Sequence, residues 1–249
     1  MARGGGRKAA EAAAGGGAVR IHPTALVEAG VRIGAGSAVW DHAHIRAGAV
    51  IGERCIIGGK TYIAPGVRIG RLVKLNAFVY VCAGVTIEDM VMVSAGTVFT
   101  NDRYPRAAHP ELDQPVTSEV TEDTLSTTVR RGATIGANAT IGPGLTLGDF
   151  CMIGMGAVVT KPVLPHQLVV GCPARAAGWV CVCGRWLGAR ADSAACRACG
   201  RRYTGGSAGI RLLGRAEDGP PGRAGRRERM AGTARLREGR VAMATGRAA

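Results

Sequence analysis

Aromatic side chains are scarce in this 249-residue chain, which holds three Phe, four Tyr and three Trp. That excludes a core assembled around large rings, so the interior must be filled another way. No run of eighteen apolar residues is present to span a membrane as a helix. The first twenty residues are Gly, Ala and Arg without a Leu- or Val-rich stretch, and do not read as a signal peptide. Acidic residues are few, 18 against 32 Lys and Arg, for a net charge of +14. The excess is uneven. Residues 1–20 contribute +3, and ten Arg against four acids from 211 to the end contribute +6. The middle is therefore only mildly basic, which argues against a nucleic-acid groove there. Eight Cys are present, of which Cys55, Cys82 and Cys151 fall at small core positions and read as free thiols. A reducing, cytoplasmic location is the expectation.

What the chain does have is a period of six. Aliphatic or aromatic residues recur at Ile21, Val27, Ile33, Val39, Ile45, Ile51, Ile57, Ile63, Ile69, Leu75, Val81, Ile87, Val93 and Phe99. After a gap they return at Val129, Ile135, Ile141, Leu147, Ile153 and Val159. A small side chain follows four residues after each opening, as in Ser37, Ala43, Ala49 and Cys55. Six fits neither an amphipathic helix nor an alternating strand, but it fits short strands and tight turns wound into a solenoid. Gly and Asn are expected at the positive-φ turn positions.

This pattern resembles the hexapeptide-repeat acyltransferases. The resemblance implies an all-β, left-handed parallel β-helix with three hexapeptides per coil and six to seven coils, over about residues 21–178. Residues 1–20 read as a disordered basic arm, 101–128 as a projecting loop, and 204–249 as a disordered basic tail.

The run Val98-Phe99-Thr100-Asn101-Asp102, with Arg106 after it, resembles the branch that acetylates amino groups of nucleotide-linked sugars. Trp40 and His44 resemble a Trp-and-His pattern of the same branch, and Gly171, Pro173, Ala174 and Arg175 its closing segment. The resemblance implies acetyl-CoA as cosubstrate, a nucleotide-sugar substrate, and a homotrimer with sites between adjacent prisms. The reaction is aminolysis of a thioester, which needs a positioned amine, a proton acceptor and a donor to the oxyanion. Asn101 is expected to aim the amine or to cap a turn. Asp102 would neutralise an ammonium or close an Asx-turn. His44 is the candidate base, and His109 lies in the loop. Trp40, Lys60 and Arg106 are candidate substrate contacts, and Lys161 and Arg175 candidate partners of CoA phosphates.

Cys181-x-Cys183 and Cys196-x-x-Cys199 form a separate signal. Four thiolates in a reducing compartment favour tetrahedral zinc, and the segment 179–203 resembles a zinc ribbon whose first pair is one residue tight. It is expected to cap the solenoid. Two other readings stay open: O-acetylation of a sugar or small molecule, and a non-catalytic scaffold with a zinc-ribbon binding module. A carbonic anhydrase would need three converging His, and His22, His42, His44, His109 and His166 show no such spacing.

Overall fold

A computed structural model describes residues 17–108, 111, 115, 120–190, 193–206 and 209–215. His109, most of the expected N-terminal arm and residues 216–249 lie outside them. The described chain is all β. Short strands, most of two residues, stack in parallel on three faces, each residue pairing with the one eighteen positions on, as Arg20 with Ala38 and Ile33 with Ile51. The first face begins at Arg20–Ile21, the second at Leu26–Val27 and the third at Arg32–Ile33. The winding is of the left-handed type.

Local sequence explains each rung. The opening residue of each hexapeptide points inward, and Ile45, Ile57, Ile63, Leu75, Ile141 and Leu147 are completely buried. The small residue four positions later, such as Ala43, Ala49 or Cys55, is buried as well. Its size lets the chain bend across a narrow interior, so stacked Ile and Val replace the missing aromatics. Backbone bonds between coils run at 2.7–3.3 Å, as from Gly34 N to Ile51 O and Gly70 N to Ile87 O.

The turns differ from expectation. One residue per hexapeptide has positive φ, but besides Gly the position holds His42, Arg54, Lys60, Leu72, Phe78, Met90, Phe150 and His166, with Asn only at Asn138. The coil geometry imposes the left-handed conformation on whichever residue occupies that place. Each non-glycine there costs roughly 1–2 kcal/mol, which the inter-coil ladder offsets.

The loop between Val98–Phe99 and Thr127–Val129 ends at Ser126, two residues before the expected 128. Beyond it Thr86 pairs with Thr128, so the winding resumes in register. The rungs also continue past Val159, through a bridge from Leu147 to Val163 and a strand at Gln167–Val170. Arg175–Val180 and Trp186–Gly188 then add antiparallel to the first face. Within the stretch expected as tail from 204, Arg201–Gly206 and Gly209–Arg215 form a hairpin that joins Ala194–Ala195 in a three-stranded sheet. Ile210 and Tyr203 are buried in it, apolar anchors that the Gly- and Arg-rich composition hid.

The core thiols carry a pH signature. Burial pushes Cys82 up to about 11 and Cys151 up to about 12. Unfolding returns both to the ordinary range near 8.5, so the unfolded state loses protons first. Stability should therefore be intact below about pH 8.5 and decline as pH rises toward 11–12. Denaturant titrations between pH 7 and 10.5 check this, with Cys151→Ala expected to flatten the alkaline decline. Alkylation of native protein at pH 8 should spare both thiols and modify exposed Cys172.

Candidate active face and cysteine centre

The outward residues of the second face form a column on successive rungs: Leu26, His44, Tyr62, Tyr80 and Val98. Eighteen-residue pairing makes them neighbours. His44 meets Tyr62 edge-on at 5.5 Å, and Tyr62 stacks on Tyr80 at 5.0 Å. Glu28 and Arg46 lie in the turn beside this column. Glu28 Oε1 is 2.7 Å from His44 Nε2, and Glu28 Oε2 accepts from Ala47 N at 2.9 Å. Arg46 Nε approaches Glu28 Oε1 at 2.6 Å as a charge contact without an aligned hydrogen bond, while its Nη1 donates to Tyr62 Oη at 2.8 Å. Desolvation pulls the Glu28 carboxyl upward, but the bonds from His44 and Ala47 and the charge of Arg46 prevail and hold it below its usual range. Glu28, Arg46 and Tyr62 were not singled out in the sequence. Reading it at intervals of eighteen sets 28 beside 46 and 44 beside 62, which would have found them.

Asn101 sits where the second face gives way to the loop. Its Nδ2 donates to Ala83 O at 3.2 Å, and its own carbonyl accepts from Leu125 N at 3.0 Å, so it ties together both ends of the loop. Anchoring Nδ2 leaves Oδ1 as the free end of the amide. Asp102 accepts from Tyr104 N at 2.7 Å in an Asx-turn, and Arg106 is exposed with Nη1 on Pro105 O. His44 was expected as a base beside Asn101, but the chain does not bring them together. Three rungs, at His44, Tyr62, Tyr80 and Val98, separate them by about 14 Å along the axis.

Trp40 and Lys60 lie at another corner. Trp40 is half exposed, beside a cleft of about 200 Å³ formed with Arg20, His22 and Ala38. The Lys60 ammonium is engaged by Asp41 Oδ2 at 2.8 Å and lies 5.6 Å from the Phe78 ring centre. A larger cleft, about 440 Å³, opens on the third face between Arg68 and Arg131, and none of the expected site residues lines it. At the last rung of the second face Val158 N donates to Gly171 O and Ala174 N to Val158 O; Lys161 follows that rung in the chain, Pro173 lies between Gly171 and Ala174, and Arg175 opens the strand that extends the first face.

The four cysteines converge. Their Sγ atoms all lie within 4.8 Å of one another, with Cys181 3.4 Å from Cys199 and Cys183 3.6 Å from Cys196. Ligand bonds of about 2.3 Å in a tetrahedron separate sulfurs by about 3.8 Å, so the donor set fits a metal ion of that class. Turns with Gly184 N on Cys181 O and Gly200 N on Cys196 O shape the two halves. Tyr203 Oη donates to Cys181 Sγ at 3.0 Å and accepts from Val182 N, a bond that orients the ligand from outside. The backbone N–H and guanidinium of Arg201 pull Cys199 down to about 6, whereas burial pushes Cys181 up to about 12. A bound cation would draw all four toward thiolate. The centre rests on the solenoid through His166, which is buried, stacks on Phe150 at 5.6 Å, meets Tyr203 edge-on at 5.2 Å and bonds Val180 O through Nδ1 at 3.1 Å. Among the described residues, no other group of three or more His, Cys, Asp or Glu lies close enough to hold a metal ion, and no helix is long and apolar enough to cross a membrane.

Residues 30–65, 48–81 and 126–161 match the bacterial transferase hexapeptide (six repeats) family. Together these matches cover about a third of the chain. The matched segments bracket the loop and leave the cysteine centre outside the repeat region. Over 77 residues, 31% of this chain, the sequence is 39% identical to a dTDP-3-amino-3,6-dideoxy-α-D-galactopyranose 3-N-acetyltransferase from Aneurinibacillus thermoaerophilus, and spans 40% of that relative. Among solved structures, perosamine N-acetyltransferase from Caulobacter crescentus with CoA and GDP-perosamine is 22% identical, over 65% of this chain and 57% of that one, at a TM-score of 0.39. The acetyltransferase domain of PglB from Neisseria gonorrhoeae is 21% identical over 64% and 57%, at 0.41.

Proposed function

We propose that this chain is an acyl-CoA-dependent N-acyltransferase that transfers acetyl from acetyl-CoA to an amino group of a nucleotide-linked sugar, in surface polysaccharide or glycan biosynthesis. The observation that carries this reading is the 39% identity over 77 residues with an N-acetyltransferase of a nucleotide amino sugar. The Phe99-Thr100-Asn101-Asp102 run at the base of the loop supports it from the geometry. With Nδ2 anchored on Ala83 O, Asn101 presents Oδ1 to accept a hydrogen bond from the amine and aim its lone pair at the thioester carbonyl. The amine then bonds to carbon, the C–S bond breaks with its electrons on sulfur, and the amine proton departs. Asp102, next in the chain, keeps one carboxylate oxygen outside its Asx-turn and is proposed to take that proton. Lys161, after the last rung of the second face, and Arg175, at the start of the strand that extends the first, suit the phosphates of CoA.

Screening amino-sugar nucleotides with acetyl-CoA, by release of free CoA thiol, tests the activity. Asn101→Ala should lower kcat by about 100-fold or more while costing about 1 kcal/mol of stability for the lost bond. Loss of stability with kcat intact would reduce Asn101 to a loop closure.

The active unit is proposed to be a homotrimer. Leu26, Tyr80 and Val98 leave an apolar strip exposed on the second face of a single chain, and a closed ring of copies would cover it. Light scattering should return three times the chain mass, and a monomer mass would remove sites shared between prisms.

The cysteine centre is proposed to hold one structural zinc, remote from acyl transfer. Its hairpin covers the open end of the first face and buries few apolar groups of its own, so the metal would supply much of its folding energy. Metal analysis should find one zinc per chain. Cys196→Ser should loosen residues 181–203 to proteolysis and leave turnover largely unchanged. A zinc-free wild type would end the assignment.

A further inference from the structure

The Glu28–His44–Arg46 network lies three rungs from Asn101 on the same face, too far to act on the amine that Asn101 would hold. About a dozen covalent bonds separate a ring amine from the base of an extended sugar nucleotide, and at roughly 1.2 Å of advance per bond they span about 14 Å. The separation along the solenoid is the same, about 14 Å for three rungs. We propose that this network is the nucleobase subsite of the substrate, and that it takes uracil or thymine and rejects cytosine. The proposal rests on the N-acyltransferase reading for the position of the amine.

The selectivity follows from one tautomer. A carboxylate only accepts hydrogen bonds, so Glu28 Oε1, 2.7 Å from His44 Nε2, obliges the neutral imidazole to carry its proton on Nε2. Nδ1 is then a lone pair, and no described residue bonds to it. The ring cannot readily turn, since Tyr62 packs edge-on against it and Glu28 is itself held by Ala47 N and Arg46. Beside this fixed acceptor is the Arg46 guanidinium, whose Nε faces Glu28 and whose Nη1 is on Tyr62, while no described residue bonds to its Nη2. An acceptor next to a donor matches the imide edge of uracil or thymine, where N3–H donates and a neighbouring carbonyl accepts. Cytosine presents a lone pair at N3, and two lone pairs would face each other.

Calorimetry with UDP and CDP tests the idea on the full chain without any turnover. UDP is expected to bind at least about 10-fold more tightly than CDP, the cost of one unmatched polar pair. Glu28→Gln lets the side-chain amide donate to Nε2, moves the imidazole proton to Nδ1, and should bring the two affinities within about 2-fold; nitrogen-15 spectra of the histidines report that tautomer change directly. His44→Phe keeps a ring against Tyr62 and should weaken UDP about 10-fold with CDP unchanged. Equal binding of UDP and CDP by the wild type, or an unchanged ratio in Glu28→Gln despite the tautomer shift, overturns the subsite. Discrimination without acylation of any amino-sugar nucleotide would overturn the catalytic reading and leave the subsite standing. Acylation without discrimination does the reverse.

Discussion

Every feature of this chain depends on one constraint, the parallel backbone ladder that ties each residue to the one eighteen positions on. Such a ladder leaves no freedom in the turns. It forces a positive φ once per hexapeptide, even on Leu72, Met90 and Phe150. It also brings coils so close that a Cβ at Gly34 would meet Gly52 C and Glu53 N at 2.5 Å. Glycine at that place is set by contact with the next coil, whereas at the positive-φ place the backbone alone asks for it and other residues are accepted at a cost. The two glycine positions of the repeat thus answer to different physics.

The solenoid was legible because its signal is local and repeated. Inward openings and small residues recur too regularly to belong to another fold, and the gap after Phe99 marked the loop. The cysteine centre was legible too, since four thiols are chemically distinctive at any distance. The hairpin at 201–215 was not. Its anchors, Tyr203 and Ile210, are single apolar residues in a Gly- and Arg-rich stretch, and their burial depends on Trp179, His166 and the cysteines. Local composition carries no trace of such long-range packing.

The expected site divides along the same line. Asn101 was placed by its position at the end of the repeat, and the chain does put it at the base of the loop. Lys60, a candidate substrate contact, has its ammonium on Asp41. Asp41 and Lys60 are nineteen residues apart, one more than a coil, so the pairing appears only when adjacent coils are compared. The same holds for Glu28, whose three partners lie sixteen to nineteen residues later.

A solenoid therefore fixes position by counting. Because each rung advances the axis by about 4.8 Å, a sequence difference becomes a length, and two groups on one face cannot be moved nearer by side-chain rearrangement. A long, linear substrate suits such a scaffold. Its amine, diphosphate and base occur at set intervals along one molecule, and a rigid face can address each from a different coil. The loop after Phe99 departs from the face at one height only. On the proposed function, Asn101 at that height and the His44 rung three steps away would separate the chemistry from recognition, and either could change without disturbing the ladder that positions both.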